Sequence, residues 1–408
     1  MSRLTIVLFS AILIETYSFI AVKQLSRSRF VWWGYIAVSV LCIGYFVYSF
    51  SKFDPYAGQN KQTLTFFSVL LLYLVTKLFF ALPLVLEDVV RIFKGVYNYF
   101  FKKADNRMIP SRRIFISRIA LGVAAIPFSS ILYGIFEGKY NFKVIRKAIF
   151  FDNLPDSFDG LKILQISDIH SGSFDNKAKI EYAINLINEQ DFDLLVFTGD
   201  LVNNFAFEMT PWVEVFRKIK TPKFGKFSIL GNHDYGEYSI WESETEKQAN
   251  FEGIKNLHRE IDFKLLLNQS VYLENNSERI ALVGVENWGH NFKKRGDLNK
   301  ASENIKTEDF KILLSHDPSH FDYEVKKHPK RFDLTLSGHT HGLQFGVEVP
   351  NVFKWSPVQY IYKYWAGLYQ EAGRFLYVNR GFGFHAYSGR VGIWPEITVL
   401  ELKKIQKN

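Results

Sequence analysis

Leu334-Thr335-Leu336-Ser337-Gly338-His339-Thr340-His341-Gly342-Leu343-Gln344 is an apolar-alternating run that stops at a glycine and continues with two histidines one residue apart. In extended or tightly turned backbone, alternate side chains point the same way, so His339 and His341 can face one site from the end of a strand. Imidazole is the commonest metal ligand, and functional side chains gather where a rigid strand hands over to a loop. A polar turn with two solvated histidines fits the same residues. The segments upstream decide between the two.

Four more strand-like runs end in the same manner. Leu161–Ile166 ends at Ser167-Asp168-Ile169-His170, Leu194–Phe197 at Thr198-Gly199-Asp200, Lys226–Leu230 at Gly231-Asn232-His233-Asp234, and Phe310–Leu314 at Ser315-His316-Asp317. Further strands are expected over Phe142–Phe151, Arg279–Val285 and Phe332–Leu336, and helices over Lys177–Glu189, Pro211–Lys220 and Ser239–Glu260. Strands alternating with helical patterns mean an α/β domain. In such sheets ligands bind beyond the carboxyl ends of the strands. Five successive strands ending in Asp, His or Asn favour one shared site over five unrelated turns.

The chain before this domain has another character. Apolar stretches over about 4–22, 30–50, 64–90 and 114–136 each approach or exceed the roughly 20 residues that cross a bilayer as a helix. A four-helix transmembrane region over residues 1–139 is therefore expected, followed by the α/β domain over 140–408. Glu15 and Lys77 lie within the first and third stretches and make a natural intrahelical-bundle pair. The first connection carries Lys23, Arg27 and Arg29, and the third Arg91, Lys94, Lys102, Lys103, Arg107, Arg112 and Arg113. The second holds only Lys52 and Lys61. Positive connections stay cytoplasmic, which predicts a multi-pass protein of the cell membrane with both termini, and hence the α/β domain, outside the cytoplasm. Ser111-Arg112-Arg113-Ile114-Phe115-Ile116, just before the fourth stretch, resembles a twin-arginine export signal.

Composition excludes some classes. The single cysteine, Cys42, rules out an intramolecular disulfide and a thiolate zinc site. The net charge of +9 is concentrated at membrane flanks, so no nucleic acid is expected as partner. The 39 phenylalanines and 21 tyrosines suit membrane interfaces and lipid contact.

Together, Asp168-Ile169-His170, Gly199-Asp200, Gly231-Asn232-His233-Asp234, His316 and Gly338-His339-Thr340-His341 resemble the ordered motif set of the calcineurin-like metallophosphoesterase superfamily, in its bacterial membrane-associated or exported branch. Gly342-Leu343-Gln344, Tyr377-Val378-Asn379-Arg380-Gly381 and Pro395-Glu396-Ile397 add to the likeness, which covers the chain from Phe142 onward. The resemblance implies an αβ/βα sandwich and two divalent transition-metal ions. Asp168, His170, Asp200 and His341 would hold the first, and Asp200, Asn232, His316 and His339 the second. A donor set of nitrogen and oxygen without thiolate suits Mn, Fe or Zn. Such a pair clamps phosphoryl oxygens and holds a hydroxide between the ions. Asp200 and His233 are the expected catalytic residues, with Asn232 and His233 on the substrate, and Asp234 either orients His233 or caps its turn.

The expected activity is metal-dependent phosphoric ester hydrolysis, phosphodiesterase-like, on a phosphate ester that includes lipid-linked ones. Gly199-Asp200 continues with Leu201-Val202-Asn203-Asn204, lacking the arginine that protein phosphatases of the superfamily carry, which disfavours a phosphoprotein substrate. Two alternatives are a cytoplasm-facing pyrophosphatase of a UDP-acyl-sugar lipid precursor and a non-catalytic membrane scaffold. His258, His290, His320, His328 and His385 match no motif and are expected to be structural or on the surface. Gln344 and Arg390 are candidate substrate contacts, Asn287–His290 a candidate cleft lining, and Phe353–Tyr369 with Asn379–Tyr387 a candidate lipid-facing rim.

Overall fold

A computed structural model describes residues 3–101, 110–289, 293–349 and 352–406. Lys102, Lys103, Arg107 and His290 lie outside the described residues. The chain divides into two compact units, one of Met1–Phe53 with Thr65–Gly134, the other of Asp54–Leu64 with Ile135–Asn408.

The first unit is built of long helices, α1 (Arg3–Leu25), α2 (Arg29–Ser51), α3 (Lys61–Phe101) and α4 (Pro110–Phe136). Arg29–Ser51, Lys61–Phe101 and Arg112–Phe136 are long and apolar enough to cross a membrane. α3 begins close to the expected start and runs past the expected end, to Phe101, and Pro83 does not interrupt it; neighbouring helices in a membrane satisfy the groups a proline frees. Its buried contacts are small and close, with Ala21, Phe80, Leu84, Ala120 and Ala124 packed together. Lys77 Nζ lies 3.0 Å from Glu15 Oε1, and Tyr35, Ser39 and Tyr73 also bond that carboxylate. The expected pair is thus a hydrogen-bonded network. Arg113 is held by Glu87 at 2.5 Å and Asp88 at 2.8 Å, which gives this arginine a structural partner set within the bundle.

The second unit contains two six-stranded sheets. The first comprises β1 (Lys143–Phe151), β2 (Lys162–Ile166), β3 (Leu194–Phe197), β4 (Lys226–Ser228), β5 (Lys264–Leu265) and the last strand of the chain. The second comprises β6 (Gln269–Asn275), β7 (Glu278–Gly284), β8 (Lys311–Leu314), β9 (Leu334–Ser337) and a late hairpin pair. Between β9 and that pair, β10 (Val347–Val349) and β11 (Phe353–Trp355) form a separate hairpin. The pair is β12 (Gly367–Glu371) and β13 (Arg374–Val378), and the last strand is β14 (Glu396–Lys404). Sheet orders are β1-β14-β2-β3-β4-β5 and β12-β13-β9-β8-β7-β6.

Ile163, Leu194, Val196 and Leu400 of the first sheet meet Leu282, Ile312, Leu314 and Leu336 of the second in one core, so the sheets stack face to face. The outer face of the first sheet is covered by α5 (Lys177–Asn188) and, after the short α6 (Val213–Phe216), by α7 (Glu244–Glu260). Ile180, Ile184 and Ile187 on α5 recur at helical spacing and pack on this face. The result is the layered sandwich that the sequence resemblance implies. Where a helix is expected over Pro211–Lys220, the chain forms 3-10 turns at Ala206–Trp212 and only one α turn, Val213–Phe216. Pro211 has no N–H to continue an α ladder.

β2, β3 and β4 run parallel, as do β7, β8, β9 and β13. Every residue of β2 after Lys162, and all of β3, β8 and β9, is buried. β3 therefore reads as a continuous apolar run and β2 and β8 nearly so, whereas β9 alternates Leu334 and Leu336 with Thr335 and Ser337, which are buried too.

Candidate metal centre

The turns after β2, β3, β4, β8 and β9 converge. Asp168, His170 and His341 offer ligand atoms within 4.8 Å of one another, as do His170, Asp200 and His233, and Asp200, His316 and His339. Asn232 joins through its Oδ1, 3.2 Å from His316 Nε2, which is itself 3.1 Å from Asp200 Oδ2. All seven residues proposed from the sequence as ligands, and His233, therefore share one site.

The backbone is bent to bring them there. Asp168, His170, Asp200, His339 and His341 have φ between 48° and 72°, the left-handed region that residues with a Cβ rarely occupy. Strain of this kind, on the order of 1–3 kcal/mol per residue, persists only where the surroundings enforce it, and it clusters at functional sites. Gly338 is required by close approach: a Cβ there would lie 1.9 Å from Ser167 Oγ and 2.3 Å from Asp168 Oδ2.

Each imidazole is oriented from behind. His316 Nδ1 donates to the Thr198 carbonyl at 2.7 Å, His170 Nδ1 to Asn203 Oδ1 at 3.0 Å, and His233 Nδ1 to the Asn203 carbonyl at 2.8 Å. Arg390 Nη2 lies 3.1 Å from His341 Nδ1. The Thr198 and Asn203 oxygens, as acceptors, fix tautomer and ring direction for His316, His170 and His233 in the manner of metal sites, whereas Arg390 is a donor. Burial pushes the Asp200 carboxyl up, but His316, His233 and His170 outweigh it and hold the group well below the usual range. Asp168 is likewise lowered, burial being outweighed by His341 and His316. Burial and the neighbouring His385 hold His170 well below its ordinary value, so its ring is neutral.

The residues fit a metal pair. His341 Nε2 is buried, sits 3.3 Å from Asp168 Oδ1 and makes no hydrogen bond. Two buried carboxylates amid imidazoles, with such an unsatisfied ring nitrogen, form an oxygen and nitrogen donor set typical of divalent transition metals.

A family model described as "Probable Calcineurin-like phosphoesterase, transmembrane domain" matches residues 1–139, and one described as "Calcineurin-like phosphoesterase" matches residues 161–343. The metallophosphoesterase YkuE of Bacillus subtilis is 33% identical over 253 residues, covering 61% of this chain and 82% of the relative. The chain belongs to the calcineurin-like metallophosphoesterases. A Danio rerio transmembrane protein with metallophosphoesterase domain is 28% identical over 69% of this chain and 62% of its own length, so the chain spans less than two thirds of that relative. The UDP-2,3-diacylglucosamine pyrophosphatase LpxG of Chlamydia trachomatis is 30% identical over 57% of this chain and 81% of the relative. This metallophosphoesterase is thus a membrane-associated hydrolase of phosphate esters, in a family that uses divalent metals.

Several sequence readings need correction. His385 is not peripheral: its ring centroid lies 4.4 Å from that of His233 and 4.8 Å from that of His170. It sits on the loop after β13, where no contiguous motif marks it. Asp234 does not touch His233 but caps the turns, accepting from the N–H groups of Asp200, Leu201 and Gly231. Gln344 and Arg390 are buried and committed to the protein, the former to Tyr387 and Gly389 carbonyls and the His385 N–H, the latter to Gly381 and Gly383 carbonyls. Tyr377 and Arg380 both bond Glu396, so the late motif is a buried brace between β13 and β14. His258 and His320 are buried and bond Ser228 and Ser315, and His328 bonds Asn299; none of the three belongs to the ligand cluster. Tyr238, its ring centroid 4.4 Å from that of His233, and Tyr362, whose hydroxyl is 2.7 Å from His339 Nε2, line the rim unannounced by any motif.

Proposed function

We propose that the chain hydrolyses a phosphoric diester or diphosphate on an amphiphilic substrate, with two divalent transition-metal ions and a catalytic domain outside the cytoplasm. The observation that carries this reading is the convergence of Asp168, His170, Asp200, Asn232, His316, His339 and His341 on one buried cluster with an unsatisfied ring nitrogen. Asp168, His170, Asp200 and His341 would hold one ion, and Asp200, Asn232, His316 and His339 the other. Mn, Fe or Zn all suit these donors. When bound, the ions supply charge for the phosphoryl oxygens and lower the pKa of water.

The chain's own groups do the rest. His233 keeps a proton on Nδ1 through the Asn203 carbonyl, leaving Nε2 to exchange a proton with the phosphoryl or leaving-group oxygen. His385, packed against the His233 ring, supplies a second imidazole at the same mouth. Asn232, steadied by its donation to the Tyr238 hydroxyl at 2.8 Å, would align substrate beside it.

One feature supports the substrate class. The small cleft beside Asn232, lined by Tyr235, Glu237, Tyr238, Asn287, Lys293 and Arg295, does not, because Glu237 pairs with both cations. Beyond His341 and beside Tyr362, the segment 343–361 exposes Leu343, Val349, Val352, Phe353, Tyr360 and Ile361, apolar surface suited to acyl chains.

The basic residues of the α1–α2 and α3–α4 connections support this side of the membrane, and export through a twin-arginine route would fit the same side. The similarity to LpxG favours a second reading, a UDP-linked acyl-sugar pyrophosphatase, which needs a cytoplasmic site. A reporter fused at the C-terminus separates the two. Activity of a periplasmic-type reporter supports the first, and activity only of a cytoplasmic one supports the second. The functional test is hydrolysis by metal-loaded full-length protein of bis-p-nitrophenyl phosphate, phospholipids and a UDP-acyl sugar; failure on all of them refutes both readings.

A further inference from the structure

The connection between α2 and α3, Asp54–Leu64, belongs to the second unit rather than to the helices it joins. Its residues reach four separate loops around the metal centre. The Pro55 carbonyl accepts from Ile240 N–H at 3.4 Å, and the Tyr56 carbonyl from Ser239 Oγ at 2.9 Å, both next to Tyr238. Gly58 passes so near the loop after β3 that a Cβ would lie 2.7 Å from Asn204 Nδ2, and its φ of +55° is one that other residues rarely adopt. Gln59 Oε1 accepts from Ala386 N–H at 2.9 Å, and Gln59 Nε2 donates to Ser173 Oγ at 3.3 Å. Ser173 in turn bonds Asn203, which holds His170.

The consequence for His385 is specific. Its own N–H is held by Gln344 Oε1 at 2.5 Å, and the next N–H, that of Ala386, by Gln59. Two glutamines from distant parts of the chain therefore clamp the two amides flanking the His385 side chain. Ala386 has a φ of +65°, a conformation that needs such enforcement. Loops without a sheet ladder depend on side-chain partners of this kind to keep one conformation.

Membrane parity agrees with this placement. α3 and α4 each contain a stretch able to cross a bilayer, and two crossings return the chain to the side it left. The connection and the domain after α4 therefore share one side of the membrane.

We propose that the α2–α3 connection is a wall of the active site and that Gln59 is a positioning residue that holds His385 against His170 and His233. The kinetic part rests on the hydrolase reading above; the structural part does not. The test uses full-length protein in detergent micelles. Gln59→Leu should raise amide exchange at Ala386 at least about tenfold and lower kcat on bis-p-nitrophenyl phosphate on the order of 10-fold, as for a displaced active-site group. Gln59→Glu keeps the acceptor for Ala386 N–H and should restore both. In a His385→Ala background, Gln59→Leu should cause no further loss, because its effect runs through that ring. Unchanged exchange at Ala386, or an equal additional loss in the His385→Ala background, overturns the proposal. Should Gln59→Leu not fold, Gln59→Ser, too short to reach Ala386, carries the same expectation. If the wild-type protein hydrolyses nothing, the exchange result still decides, so failure of the functional reading is distinct from failure of this one.

Discussion

Asn203 is the residue through which orientation of the centre can be tested most quantitatively. It is fully buried; its Oδ1 accepts from His170 Nδ1 at 3.0 Å and its carbonyl from His233 Nδ1 at 2.8 Å. Asn203→Leu keeps the volume and the carbonyl but removes the acceptor for His170. A buried N–H left without a partner costs about 1–3 kcal/mol. The unliganded ring can turn to recover part of that, whereas a ring committed to an ion cannot, so most of the cost falls on the metal-bound state. Loss of a partner behind a metal-binding histidine typically weakens affinity by about 10–100-fold, or about 1.4–2.7 kcal/mol, which matches. Titration of metal-free full-length protein with Mn²⁺ by calorimetry should show one ion weakened by this factor, with the other within about threefold. Asn203→Asp, which retains the acceptor, should bind both ions. A folded Asn203→Leu variant that binds two ions with wild-type affinity would refute the reasoning.

Three further outcomes follow from buried groups near or beneath the site. His258 is fully buried, and burial pushes it down to about 3; because the folded value is depressed, its stability contribution is present above about pH 6.5 and is lost as pH falls toward 3. Between pH 7 and pH 5 this is about 2 kcal/mol, so wild-type thermal stability should fall over that interval and His258→Gln should flatten the fall. Arg390→Met strips donors from the Gly381 and Gly383 carbonyls and from His341 Nδ1. The expected loss is at least about 2 kcal/mol of stability by thermal melting, together with weaker binding of one ion. Gly338→Ala drives a Cβ into Ser167 and Asp168, and should abolish hydrolysis while Gly373→Ala, on an open turn of the β12–β13 hairpin, leaves it within about twofold.

What could be read from the sequence was what lay contiguous along it. Asp168, Asp200, Asn232, His316 and His339 each close a run of fully buried strand, so chemistry and local structure reinforced one another in short windows. His385 escaped because it is placed by Gln344, 41 positions away, and by Gln59, which holds the next residue, Ala386, from 327 positions away, and not by a turn of its own. The insertion of β14 antiparallel to β2 and parallel to β1 was hidden for the same reason, since its pairings join chain segments more than 200 residues apart. Asp54–Leu64 reads as an ordinary polar connection between apolar stretches; only the tertiary structure shows that its carbonyls and Gln59 are committed to the loops around the cluster. Asp234 lies beside His233 in sequence, yet four backbone amides claim its carboxylate first.

The most direct test of the account is the metal content of the purified full-length protein after saturation and desalting, measured by mass spectrometry beside Asp200→Ala. Asp200 Oδ2 lies 3.1 Å from His316 Nε2 and 3.5 Å from His170 Nε2, placing it between the two ligand groups. The account predicts about two divalent ions per wild-type chain and at most one in Asp200→Ala, with hydrolysis lost. A wild-type chain that holds no ion, or an Asp200→Ala chain that keeps both ions and full activity, would contradict it.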